Sequence, residues 1–200
     1  MPGRPVDEVV LASALDYAVT SAAGIGLADL RRPSACAGWT VADALAHLTE
    51  SLRCLATSLA SGAVPCPAAL PAGPVTARTL RRELGRAAVS FGAAARDLRG
   101  RRSVAVDGLP LPCHQLIVVG AIEAAVHGWD VTRGPVPGEL ATRLLDELPQ
   151  VVDDTTRRGV FADPVALPPG RPAGERLLAA LGRDPLPRSA PAGPIPFPAR

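Results

Sequence analysis

One stripe of apolar residues limits what this chain can become. Val41, Leu45, Leu48, Leu52, Leu55 and Leu59 recur at alternating four- and three-residue steps. That spacing lines one side of a helix and must be buried against other helices. The start is marked as well: Thr40 and Asp43 fit the capping-box pattern, with Asp in place of the longer Glu, so the helix begins at Val41. Gly62 and a loop carrying Pro65, Pro67, Pro71 and Pro74 end it.

Other segments repeat the theme. Residues 6–30 read as a first helix through Val6, Val10, Leu15, Val19, Leu27 and Leu30; Gly24 and Gly26 weaken its second half and Pro33 stops it. A third helix is expected over 76–99, capped by Thr76, with Arg on its outer side. Ser103 to Asp107 alternates and reads as extended. Pro110 and Pro112 then lead into a fourth helix over 113–133, closed by Gly134. A fifth helix is expected over 138–156 and a short one near Gly174–Leu181. Aromatic residues make up only 3%, so the core must be built from Ala, Val and Leu, which favours closely packed helices. The expectation is an all-α four-helix bundle with a Pro-rich C-terminal tail and one or two extra short helices. Residues 1–187 are read as a single domain, and 188–200 as a disordered tail.

Charge and cysteine usage narrow the function. The net charge is +2, and Arg pairs at 31–32, 81–82, 101–102 and 157–158 are scattered, so no basic stripe suggests a nucleic-acid partner. All basic residues are Arg, with no Lys and no Asn, a composition expected of a GC-rich genome. Cys36, Cys54, Cys66 and Cys113 form no CxxC pair, so a cysteine-built zinc site is not expected. The N-terminus lacks an apolar secretion core, and no window reaches the ~18 apolar residues of a membrane span. A cytoplasmic protein with free thiols, monomeric or homodimeric, is the expectation.

Three histidines are present: His47, His114 and His127. His47 lies beside the leucine seam, at the head of the stripe His47, Ser51, Cys54, Ser58. On the fourth helix Leu116, Gly120, Glu123, His127, Asp130 and Gly134 share a face, with Val118, Ile122, Val126 and Trp129 beside it. Gly120 and Gly134 are expected to give clearance to a helix or a ligand. Glu123 and His127, one turn apart, could grip an ion together with His47. Two imidazoles and a carboxylate suit Zn²⁺, and also Ni²⁺ or Fe²⁺, and three protein donors leave the open position of a catalytic site. At this stage the ordinary alternative stands beside it. His47 would be a hydrogen-bonded core residue, and Glu123 with His127 a surface pair contributing about a few tenths of a kcal/mol.

Two motifs favour the metal. "SACAGWTVADALAHL" (34–48) resembles the first signature of the DinB-like bundle superfamily, in its mycothiol-dependent maleylpyruvate isomerase branch. "IEAAVHGWDVTRG" (122–134) resembles that branch's second signature. "GERLLAALGRDP" (174–185) resembles the end of a small actinobacterial subgroup of metal-binding proteins. The resemblance runs from about residue 6 to 187. It implies an up-down bundle with a metal near one end, held by His47, Glu123 and His127. Asp43 and Asp130 then become candidates to orient a ligand imidazole, although Asp43 is equally well placed as a helix-capping acid. Trp39 and Trp129 are read as packing anchors, Cys36 as packed under its loop, and His114 receives no role.

The resemblance also implies chemistry. Mycothiol, as co-substrate, would be activated by a divalent metal, Zn²⁺ first among the candidates, for S-transfer or isomerisation of a small electrophilic substrate. The segment after residue 160 is short and Pro-rich, where maleylpyruvate isomerase has a second domain, so isomerisation of maleylpyruvate itself is not expected. A metal-binding scaffold or sensor, or a hydrolase using metal-bound water, are the other readings.

Overall fold

The leucine seam starts where its capping box predicts. In the computed structural model, which describes residues 8–36, 38–64, 76–106, 108–152, 157 and 161–186, helix α2 spans Val41–Ser61. Thr40 Oγ1 accepts the Asp43 amide, and Asp43 Oδ2 accepts from Thr40 N at 2.9 Å and Thr40 Oγ1 at 2.7 Å. Gly62, left-handed at φ 88°, closes the helix. Val41, Leu45, Leu48, Leu52 and Leu59 are fully buried, but Ala56 rather than Leu55 continues the seam; Leu55 sits half-buried at its edge. Removing the cap with Thr40→Ala is expected to cost about 1 kcal/mol, read from the midpoint of denaturant unfolding.

The other helices of the bundle, and the fifth, are shorter than their patterns suggest. Helix α1 spans Glu8–Ala23 and gives way to a separate 3₁₀ turn at Ala28–Arg31, because Gly24 and Gly26 interrupt it and Asp29 turns back to accept the Gly26 amide at 2.9 Å. Helix α3, Ala77–Arg96, is capped by Thr76 as expected. Helix α4 spans Cys113–Thr132, and its left-handed end is Arg133 at φ 57°, not Gly134. The Arg133 guanidinium stands 5.2 Å from the Trp129 ring centre, which helps hold that strained residue. Helix α5 covers Gly138–Glu147 and tightens into a 3₁₀ turn at Leu148–Gln150, where Pro149 sits in the first turn. Helix α6 spans Ala173–Ala180. The Pro-rich loop at 65–75 and the tail at 187–200 lie outside the described residues.

The extended segment is half of a hairpin. Strand β1 (Ser103–Val106) pairs antiparallel with β2 (Leu109–Pro112), in the register Val106 opposite Leu109. Two prolines within β2 argue against a strand on sequence grounds. A strand with a single partner can tolerate them, because it has amides to spare on its open edge.

Helix α2 packs on α3 and α4, and α1 packs on the same two, so the bundle runs α1, α3, α2, α4 around its axis. Helix α5 packs against α6. One apolar core runs from Val10 to Leu181, taking in α6 as well as the bundle. The all-α bundle is therefore the fold, with the hairpin as a small addition. Among the described residues, no helix is long and apolar enough to cross a membrane.

Candidate metal centre

Because α2 and α4 are neighbours, the flank of the leucine seam meets the polar face of α4. His47 Nε2 stands 3.4 Å from Glu123 Oε2, and His127 Nε2 stands 3.4 Å from the same oxygen. The three donor atoms all lie within 4.8 Å of one another. The two imidazoles meet edge to face, with centres 4.8 Å apart. Ser51 Oγ lies 3.4 Å from His47 Nε2. The cluster forms part of the wall of a cavity of about 700 Å³.

Two observations show that these residues fit a cation. Glu123 Oε2 is buried and has no aligned hydrogen-bond partner, an arrangement that is costly for a carboxylate left alone. Its spacing to each imidazole nitrogen, 3.4 Å, is that of two donors sharing a tetrahedral Zn²⁺, roughly 3.3–3.4 Å for bonds of ~2.0–2.1 Å, while the three donors together lie within 4.8 Å, so a bound ion would draw the imidazoles closer.

The electrostatics form an alternating row. Burial pushes the Glu123 carboxyl up, but the two imidazoles overcome it and hold it well below the usual carboxylate range. Burial pulls His127 down, yet Asp130 and Glu123 raise it to about 9. Its Nδ1 lies 2.9 Å from Asp130 Oδ2 in a close but poorly aligned contact. Asp130 is fully buried; against that burial, His127 and Arg183 hold its carboxyl low. Glu123, His127, Asp130 and Arg183 thus form a row in which acidic and basic side chains alternate.

Several expectations need correcting. Asp43 does not support His47: its carboxylate is spent on Thr40 at the helix cap. Gly120 gives its clearance to a neighbouring helix, not to a ligand. A Cβ there would come 2.3 Å from Phe91 Cε1, so the space belongs to an aromatic ring of α3. Gly134 serves through its carbonyl, which accepts from Tyr17 Oη at 2.8 Å. A second close helix approach falls at Gly128, where a Cβ would meet Tyr17 at 2.9 Å. Trp39 packs as expected, and the rings it packs on are those of the cluster: it meets His47 edge-on at 4.8 Å and stacks on His127 at 6.0 Å. Cys36 and Cys54 are half-buried beside the same cavity, and burial pushes the Cys36 thiol up, away from thiolate. His114 lies apart, 3.4 Å from Glu147 Oε2. Sequence reasoning missed Arg183 and Phe161, which also line the cavity. Arg183 lies within the 174–185 motif, but its contact with Asp130 depends on how the far C-terminal segment folds back, and the same holds for Phe161.

Fold and site together define a four-helix bundle with a His–Glu–His candidate metal centre between α2 and α4. The chain belongs to the mycothiol maleylpyruvate isomerase N-terminal domain family, whose model matches residues 11–132. The crystal structure of the mycothiol-dependent maleylpyruvate isomerase is similar in fold, with a TM-score of 0.53 at 15% identity over 68% of this chain and 65% of that one. A histidine-to-alanine mutant of that enzyme aligns with a TM-score of 0.51 at 16% identity, again over 68% of this chain and 65% of that one. This chain thus spans less than two thirds of the length of the solved structures it matches. Among curated proteins no sequence match is found.

Proposed function

We propose that the protein is a divalent-metal-dependent enzyme that uses a low-molecular-weight thiol, mycothiol, for S-transfer to or isomerisation of a small electrophilic substrate. The observation that carries this reading is the placement of His47, Glu123 and His127 around one point at the edge of a cavity large enough for a small ligand. Family membership supports the thiol. The donor set suits Zn²⁺ first, with Ni²⁺ and Fe²⁺ also compatible. A bound divalent cation would supply an open coordination position at which a thiol is held as its reactive thiolate.

The chain's own residues do the rest. Glu123 would offset the charge of a bound cation, and His47 and His127 would each present a ring nitrogen to it. Trp39 holds both imidazole rings by contact. Leu55, Val119, Ile122 and Phe161 give the cavity apolar walls that exclude water from the reacting sulfur. We place this chemistry in the cytoplasm, where such thiols stay reduced, and within one helical domain spanning residues 1–187. The continuous core from Val10 to Leu181 supports that extent.

The test is a reaction panel: zinc-loaded protein and mycothiol offered an activated cis-alkene, an epoxide and an alkyl halide, with products read by mass spectrometry. The expected result is a thioether or a trans-alkene, formed only with both metal and thiol and reduced to background in His47→Ala. Metal uptake without thiol binding or turnover would overturn the proposal and leave a metal-binding scaffold.

A further inference from the structure

The outer part of the support behind His127 comes from a stretch of chain that the family match does not reach. Asp130, whose carboxylate backs the His127 ring, is itself gripped by Arg183, 53 positions further on. Arg183 Nη2 donates to Oδ2 at 2.9 Å and Nε to Oδ1 at 3.2 Å. Both oxygens of a fully buried carboxylate are thereby held by one side chain that is itself only 12% exposed. A guanidinium fork suits this task, since it matches the carboxylate's geometry and stays charged.

The position of Arg183 is also constructed. Leu177 and Leu181 anchor α6 in the core. The helix ends in a left-handed turn at Gly182, φ 78°, whose amide donates to Ala179 O at 3.0 Å, while Arg183 N donates to Leu178 O at 2.9 Å. A Cβ at Gly182 would come 2.7 Å from Ala162 Cβ and 2.8 Å from Ala162 O. Both the turn and the close approach therefore require glycine. The turn delivers Arg183 into the cavity wall beside His127.

We propose that Arg183 is a positioning residue of the metal centre. It holds Asp130, Asp130 holds the His127 ring through Nδ1, and Nε2 is thereby kept facing Glu123 and His47. Helix α6 and its glycine turn are then a working part of the centre. This rests on the reading of His47, Glu123 and His127 as metal ligands.

The sign of one measurement separates positioning from charge alone. A guanidinium acting only as a nearby positive charge would oppose a bound cation, so its loss would tighten binding. A positioning guanidinium has the opposite effect. Cobalt(II) affinity by chelator competition, together with the visible absorption of the bound cobalt, reads both affinity and ligand geometry. Arg183→Ala is expected to bind cobalt about 10–100-fold more weakly with an altered spectrum, the usual cost of losing a residue behind a ligand. Arg183→Lys keeps the charge but loses the fork, and should recover only part of the loss. Wild-type or tighter affinity with an unchanged spectrum in Arg183→Ala, while His47→Ala loses cobalt, would overturn this inference and leave the ligand assignment standing. Should Arg183→Ala fail to fold, Gly182→Ala decides. It keeps every charged group, is expected to weaken cobalt in the same direction, and overturns the inference if affinity and spectrum match wild type. A wild-type protein that takes up no cobalt would overturn the ligand assignment, and this inference with it.

Discussion

Glu123→Ala is expected to abolish tight metal binding. Glu123 supplies the anionic donor of the cluster, and its Oε2 is the atom that both imidazole nitrogens approach at 3.4 Å. Without it, two neutral nitrogens on separate helices remain, one of them on the half-exposed His47. The loss should exceed the ~10–100-fold seen when a residue behind a ligand is removed. Glu123→Gln keeps the shape and removes the charge, and should fall between wild type and alanine. Zinc titration by calorimetry checks the order. Equal affinity in wild type and Glu123→Ala would sink the assignment.

Gly120→Ala is expected to destabilise the fold more than a methyl group ordinarily would. Its Cβ would stand 2.3 Å and 2.4 Å from two Phe91 ring carbons and 3.1 Å from Leu55 Cδ1. Phe91 is fully buried, so the ring has nowhere to retreat without moving its neighbours. Overpacking of this kind costs about 1–3 kcal/mol, and each kcal/mol lowers Tm by roughly 2–4 °C in a chain of this size. Gly85→Ala provides the contrast. It lies in α3 with nothing within 4 Å of a Cβ, so alanine there should stabilise by about 0.4–1 kcal/mol through helix propensity and a less flexible unfolded chain. Two Gly→Ala changes with opposite signs on one melting axis test the packing directly. Equal melting temperatures for Gly120→Ala and wild type would show that the Phe91 contact is wrong.

These cases show where sequence reasoning carried and where it stopped. The cap at Thr40 and the seam from Val41 are local properties of periodicity and short-range hydrogen bonding, and both are legible in one dimension. The face shared by Glu123, His127 and Asp130 is legible for the same reason. Periodicity also reports that position 120 is small. It does not report which neighbour uses the space, and that neighbour is Phe91, on another helix. Whether His47 would meet Glu123 depended on α2 and α4 lying side by side, a matter of how the whole bundle closes. Arg183 was missed because its partner, Asp130, is distant in sequence. At β2 the limit was different: pairing with the adjacent β1 overrides the poor strand propensity of Pro110 and Pro112.

The central claim is that His47, Glu123 and His127 together hold one divalent metal ion. The most direct measurement is the metal content of the protein after zinc loading and desalting, by elemental analysis, for wild type and for His47→Ala, Glu123→Ala and His127→Ala. Circular dichroism alongside confirms that each remains helical. One zinc per wild-type chain, falling close to zero in each folded variant, is the predicted result. A wild-type chain that retains no metal, or variants that retain as much as wild type, would contradict it.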